Sequence, residues 1–335
     1  MIHNNIEFAG VTEFTARFNG KQLQRIPQTV RDTLNDRGRW NSQMSDGLEL
    51  RFVCEAPHIR IFLSSLEGDA PVQVYCGDFH HSTHYLAPGG PLCIHLEPPA
   101  LFKTVKPEAL AGHRFRPQVW RVVLPGTQTV FHELESYGFP VRPPQPQEKP
   151  DKLWLAYGSS ITAGGYVPIA AELMGVDYVN LAMGGACFLE PKLADFIAER
   201  DDWDFATFEL GVNVRDHFTP EEFKKRAEYL VSTTLDKNPG KPVTLITTYK
   251  NAQDFEKQPS LAGERQTAFN TILRDLAANG PDNLHLIEGH ELFTDFSLCG
   301  IDLIHPSPAG HQQIARNLAK RLTRRIAESC TAESF

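Results

Sequence analysis

With 335 residues, of which 41% are hydrophobic and 22% charged, the chain can bury two cores and reads as globular rather than disordered. Its net charge of -8 excludes a surface built to track nucleic-acid phosphates, because such binding is driven by Lys and Arg. No run approaches the roughly 20 apolar residues of a membrane-spanning helix. The first residues, Met1-Ile2-His3-Asn4-Asn5-Ile6, have neither the basic start nor the apolar core of a signal peptide. A cytoplasmic protein without a membrane partner is therefore expected.

Between about residue 45 and residue 135, short runs alternate apolar and polar residues, the period of half-buried antiparallel strands. Leu48–Phe52, Ile59–Leu63 and Val72–Tyr75 follow this pattern, and Val119–Leu124 is closed by the turn signal Pro125-Gly126. The expectation for residues 1–139 is an all-β sandwich of jelly-roll type. The cluster His80-His81-Ser82-Thr83-His84 lies in this half. It reads as a solvated loop rather than a metal site, because no Cys or carboxylate at ligand spacing accompanies it.

Residues 140–150 contain five prolines between Pro140 and Pro150, a composition that suits an extended linker and neither a helix nor a central strand. In residues 151–335 the pattern changes to apolar runs separated by helix-length segments. Leu153–Tyr157, Tyr178–Met183, Phe205–Leu210, Val243–Thr248 and Leu284–Glu288 are apolar on both faces, as parallel strands buried between helix layers require. Between them Tyr229, Leu230, Thr233 and Thr234 share a helical face, as do Ala268, Ile272, Asp275 and Leu276. Ser307-Pro308 forms an N-cap and first helical residue ahead of Ile314, Leu318, Leu322 and Ile326. Five strands with right-handed helical crossovers define a three-layer α/β/α domain of flavodoxin-like type.

Ligands of open parallel sheets bind beyond the carboxyl ends of the strands. The residues following those ends are Gly158-Ser159-Ser160-Ile161-Thr162, Gly184-Gly185-Ala186 and Gly211-Val212-Asn213, and Asp302-Leu303-Ile304-His305 precedes the last helix. Each segment alone is ordinary turn chemistry. Their order on consecutive strand ends is what points to a site.

These four blocks resemble those of the SGNH (GDSL-type) hydrolase family over residues 151–326. The resemblance makes Ser160 the nucleophile, His305 the base and Asp302 its partner. It places the oxyanion hole at the Ser160 and Gly185 backbone amides and the Asn213 side chain. Two positions depart from the family pattern: Ser159 stands where aspartate is usual, and Val214 follows Asn213 where aspartate is common. Neither usual aspartate belongs to the triad.

The chemistry agrees with the resemblance. A serine hydroxyl needs an adjacent base, imidazole can accept and return that proton near neutral pH, and a carboxylate fixes its tautomer. No cofactor or metal is required. The expected activity is hydrolysis of a small acyl ester, acetyl foremost, on a carbohydrate, with acyl transfer to a hydroxyl acceptor as the alternative. Glu209 is expected to be a hydrogen-bonded structural carboxylate and His311 a packing or surface residue. Tyr166, Phe188, His217 and Tyr249 are candidates for pocket walls, and Phe79–Tyr85 is a candidate for contact with the alcohol part of the substrate. The cysteines Cys54, Cys76, Cys93, Cys187, Cys299 and Cys330 are scattered singly and read as small apolar fillers.

Overall fold

The structure, a computed structural model, describes residues 1–111 and 114–332, with side chains up to residue 323. Ile326 and Cys330 thus lie outside the described side chains. The chain divides into two compact units, one of residues 1–32 and 39–151, the other of residues 33–38 and 152–335. Among the described residues no helix is long and apolar enough to cross a membrane.

The first unit contains a seven-stranded and a five-stranded sheet, with antiparallel strand pairing. Both contribute to one core: Phe8, Leu50, Phe52, Val74 and Trp120 come from the larger sheet, and Leu23, Ile61, Leu63, Ile94 and Phe131 from the smaller. The expected alternation is visible in Ile59–Ser65, where Ile59, Ile61 and Leu63 are buried while Arg60 is exposed. The His80–His84 cluster lies within the strand Phe79–Leu86 rather than in a loop. The proline-rich segment is also more ordered than a linker. Val141 and Arg142 pair with Cys54 and Val53, and the Arg142 guanidinium grips Glu148 through bonds of 2.6 and 2.7 Å. Prolines are tolerated there because an edge strand leaves N–H positions that the sheet does not use.

The second unit holds five parallel strands, Leu153–Tyr157, Asp177–Asn180, Phe205–Glu209, Val243–Ile246 and Leu284–Ile287, in the spatial order second, first, third, fourth, fifth. This is the flavodoxin-like order, whose switch point falls beside the first strand. Trp154 is fully buried and stacks on Phe205 at 6.2 Å, and its indole N–H donates to Thr207 Oγ1 at 2.9 Å. One large ring, with its polar handle satisfied, thereby ties the first strand to the third.

Helices Val167–Met174 and Pro308–Ala332 bury Val167, Ala170, Ile314 and Leu318 in the core of this unit. Helices Pro191–Glu199, Pro220–Lys237 and Leu261–Asn279 pack in succession. The buried face of Leu261–Asn279 is Gln266, Phe269 and Leu273, one position C-terminal to the stripe expected from Ala268 and Ile272. On that face Phe269 stacks on Phe223 at 4.2 Å between ring centroids. Likewise Tyr229 is exposed, and its hydroxyl donates to Asp195. Cys54, Cys76 and Cys187 are buried fillers, whereas Cys93 is exposed and Cys299 half-buried.

Candidate active site

At the end of the first strand the chain turns at Gly158 and passes close to the end of the third. A Cβ on Gly158 would stand 2.9 Å from the Glu209 carboxylate, so only glycine lets the loop approach this closely. Ser159 turns inward. Its backbone N–H and its hydroxyl both donate to Glu209 Oε2, at 2.8 and 2.6 Å, and Thr162 Oγ1 donates to the same oxygen at 3.1 Å. Ser159 Oγ also accepts from the Ile161 N–H at 3.1 Å. With Ser159 anchored below, Ser160 is left partly exposed.

Glu209 supplies from the third strand a carboxylate at the loop that the sequence lacks at position 159. It is fully buried, and burial raises its carboxyl to about 7 against the pull of the Ser159 and Thr162 hydrogen bonds. Its other oxygen, Oε1, has no hydrogen-bond partner among the described residues. Glu209 is thus a hydrogen-bonded carboxylate, as expected, with the added feature that its support is directed at the loop that carries Ser160.

Ser160 Oγ lies 2.7 Å from His305 Nε2, and His305 Nδ1 lies 2.6 Å from Asp302 Oδ2. An ionised carboxylate only accepts, so Nδ1 carries the proton and Nε2 receives the Ser160 hydroxyl. The loop is shaped for this contact. Leu303 has φ of +55°, a left-handed conformation costing a side chain about 1–2 kcal/mol. Asp302 Oδ1 accepts from the Ile304 and His305 N–H groups, each at 3.0 Å. Gly300 donates to the His305 carbonyl at 2.7 Å. The bond from the His305 ring, followed by those backbone donors, lowers the Asp302 carboxyl to about 2. Asp302 is consequently an anion at any working pH.

The second strand leads into Asn180, whose Oδ1 accepts from Ala182 N–H at 2.9 Å and whose amide donates to the Thr162 carbonyl at 3.2 Å. The Met183 N–H donates to the Gly158 carbonyl at 2.8 Å, which joins the second loop to the first. Gly185 follows, exposed, with φ of +69°. From the third loop, Asn213 Oδ1 accepts the Cys187 N–H at 3.1 Å. Its carbonyl end is thus fixed within the protein and its NH2 end is the donor available to a ligand.

The remaining candidates divide. Tyr166 and Tyr249 are buried against one another, at 6.1 Å between ring centroids, and belong to the core. Phe188 and His217 form a tilted pair at 5.1 Å, the first half-buried and the second exposed. His311 stacks on Tyr166 at 6.5 Å and is a packing residue, its imidazole lowered to about 4 chiefly by burial. In the first unit His81 and His84 both contact Ser82 Oγ, at 2.8 Å each, and His80 contacts Gln73 at 3.0 Å. Among the described residues one group has metal-ligand atoms gathered within 4.8 Å, His58, His95 and Glu97 of the first unit, all exposed.

Residues 156–313 match the model of the GDSL-like Lipase/Acylhydrolase family, which marks this segment as a hydrolase domain of the esterase class. Similarity in three dimensions extends over nearly the whole chain. A salicylyl-acyltransferase from a tetracycline biosynthetic pathway superposes with a TM-score of 0.77 at 17% identity, over 96% of this chain and 94% of that one. A putative GDSL-like lipase from Bacteroides ovatus gives 0.68 at 16% identity, over 96% and 98%. A family two carbohydrate esterase from Clostridium thermocellum, solved in complex with cellohexaose, gives 0.63 at 14% identity, over 96% and 99%. Identities this low establish a shared fold. No curated protein matches the chain in sequence.

Proposed function

We propose that the chain removes a small acyl group, acetyl foremost, from a hydroxyl of a carbohydrate, with Ser160 as nucleophile, His305 as general base and acid, and Asp302 as the partner of His305. The observation that carries this reading is the unbroken hydrogen-bond chain from Asp302 through His305 to Ser160, at 2.6 and 2.7 Å. Ser160 Oγ attacks the ester carbonyl while His305 Nε2 takes its proton. Asp302 holds the imidazole in the required tautomer and stabilises the imidazolium. Charge on the former carbonyl oxygen is met by the N–H groups of Ser160 and Gly185 and the NH2 of Asn213. His305 then protonates the leaving alcohol and the C–O bond breaks, leaving an acyl-Ser160. Water, deprotonated by His305, attacks that ester, and His305 returns the proton to Ser160 Oγ as the acyl C–O bond breaks, releasing the acid and the free serine.

The carbohydrate assignment draws on the carbohydrate esterases among the similar structures. A second reading, transfer of the acyl group from Ser160 to a hydroxyl acceptor, is favoured by the acyltransferase among them. Both readings share the acyl-enzyme and part only at its discharge. Hydrolysis of p-nitrophenyl acetate and longer esters measures acyl preference, and mass spectrometry after exposure to acetylated sugars tests the alcohol. Added acceptor alcohols decide between the readings. Release of free acid unchanged by acceptor supports hydrolysis, and a new ester formed at its expense supports transfer. No turnover and no labelling of Ser160 would reject both.

A further inference from the structure

Residues 33–38, far from the catalytic segments in sequence, belong to the compact unit that contains the parallel sheet. Arg37, exposed in this stretch, donates from Nε to the carbonyl of Gly184 at 3.3 Å. A Cβ built on Gly185 would stand 3.4 Å from Arg37 Nε, 3.6 Å from Nη2 and 3.9 Å from Cζ. The guanidinium therefore lies along the Gly184–Gly185 backbone, within van der Waals reach of both residues.

The Gly184 carbonyl and the Gly185 N–H are the two ends of one planar peptide unit. Whatever fixes the direction of the carbonyl fixes the direction of the N–H on its opposite side. Two successive glycines are the most freely rotating backbone in the site, so an anchor has the greatest effect there. A cation on the carbonyl also draws electron density along the amide and makes the N–H a stronger donor. Charge develops on the substrate oxygen only as the bond forms, so a better-aimed and more polarised Gly185 N–H favours the transition state over bound substrate.

We propose that Arg37 is a positioning residue of the oxyanion hole, aiming and polarising the Gly184–Gly185 peptide whose N–H receives the substrate oxyanion. This rests on the reading of Ser160 and Gly185 given above. It makes the hole dependent on a side chain that precedes Gly185 by nearly half the length of the chain. It also separates Arg37 from a residue that grips substrate, because a grip acts on ground-state binding whereas the polarised peptide acts on the acylation barrier.

The test uses the full chain with p-nitrophenyl acetate, a neutral ester with no anionic group for Arg37 to hold. Arg37→Ala is expected to lower kcat roughly 10- to 100-fold, less than the full loss of a donor, with KM within a factor of about two. Arg37→Lys, which keeps a cationic donor, is expected to recover part of that loss, and Arg37→Gln, an uncharged donor, less. The affinity for a boronic acid that forms a tetrahedral adduct at Ser160 is expected to fall in parallel with kcat, with thermal unfolding unchanged because Arg37 is exposed. Unchanged kcat in Arg37→Ala overturns the proposal, as does a rise confined to KM. Equal losses in all three variants accompanied by a lower Tm overturn it in favour of a structural role. Wild-type turnover that vanishes in Ser160→Ala keeps the triad standing through any of these results. A wild type that neither turns over nor labels at Ser160 overturns both.

Discussion

Ser159 commits its backbone N–H and its hydroxyl to a single oxygen of Glu209, at 2.8 and 2.6 Å, and the residue after it is thereby aimed at His305. A carboxylate from the neighbouring strand takes up the donors of the loop where the family more often has an aspartate within the loop itself. Glu209→Ala leaves three buried donors without that acceptor, each costing about 1–3 kcal/mol if it finds no other. The variant is expected to show a lower Tm together with a lower kcat. Loss of activity in a variant with unchanged Tm and unchanged Ser160 labelling would refute loop support as the role of Glu209.

The raised Glu209 carboxyl gives stability a definite dependence on pH. Between the ordinary value of 4.5 and about 7, the folded chain still holds a proton that the unfolded chain has released. Its contribution is therefore complete below 4.5 and is lost as pH rises through about 7. Glu209→Gln cannot ionise, so its Tm relative to wild type should climb across that window. Thermal melts from pH 4.5 to 8 check this; a difference that stays flat, or falls, contradicts the assignment.

For the nucleophile, a fluorophosphonate probe is expected to label Ser160 and leave Ser159, whose hydroxyl is buried on Glu209. Ser160→Ala should lose esterase activity while keeping the wild-type Tm. Peptide mapping of the adduct reads this directly, and label on Ser159 would move the nucleophile by one residue.

The two partners of Ser160 should differ in severity. His305→Ala removes the proton acceptor and is expected to lower kcat by several orders of magnitude. Asp302→Asn keeps the loop but loses the charge that orients His305, and should retain more residual rate. With the Asp302 carboxyl lowered to about 2, its charge in the folded chain persists until pH falls through about 2. A fall in rate between pH 5 and 7 therefore reports a group other than Asp302. Rate profiles of kcat/KM against pH test this, and a wild-type rate indifferent to the His305 change would dismantle the triad.

Asn213 is held by the Cys187 N–H at its carbonyl end, so its NH2 is already oriented before substrate arrives. Asn213→Ala should cost about 10²- to 10³-fold in kcat with little change in KM. Asn213→Asp, which replaces the donor by an acceptor and a negative charge, should cost more. Steady-state kinetics on an aryl acetate are sufficient, and a change confined to KM would assign Asn213 to substrate binding instead.

The sequence by itself determined the two kinds of architecture, because these are written in local pattern, and its four blocks carried the family resemblance that supplied the triad candidates. Alternation of buried and exposed residues marked Ile59–Ser65 as a sheet strand. The doubly apolar run Leu153–Tyr157 marked a strand covered on both faces. Since ligands of a parallel sheet gather at its strand ends, chain order pointed to four loops, and the resemblance to the SGNH family picked out Ser160, Gly185, Asn213, Asp302 and His305 within them.

Only the tertiary structure decided what depends on contact between distant segments. Glu209 could be recognised as a buried carboxylate, but not as the acceptor of Ser159, because that requires the register of the first strand against the third. The rotation of the helix Leu261–Asn279 depends on its packing partners, Phe223 among them, and a periodic pattern cannot resolve it to a single residue. The proline-rich stretch read as a linker because composition reports the conformations it allows and not the neighbouring edge strand it joins. Arg37 carried no signal at all, since a lone arginine followed by a glycine is common on surfaces. What singles it out is its distance to the Gly184 carbonyl, and folding alone sets that distance.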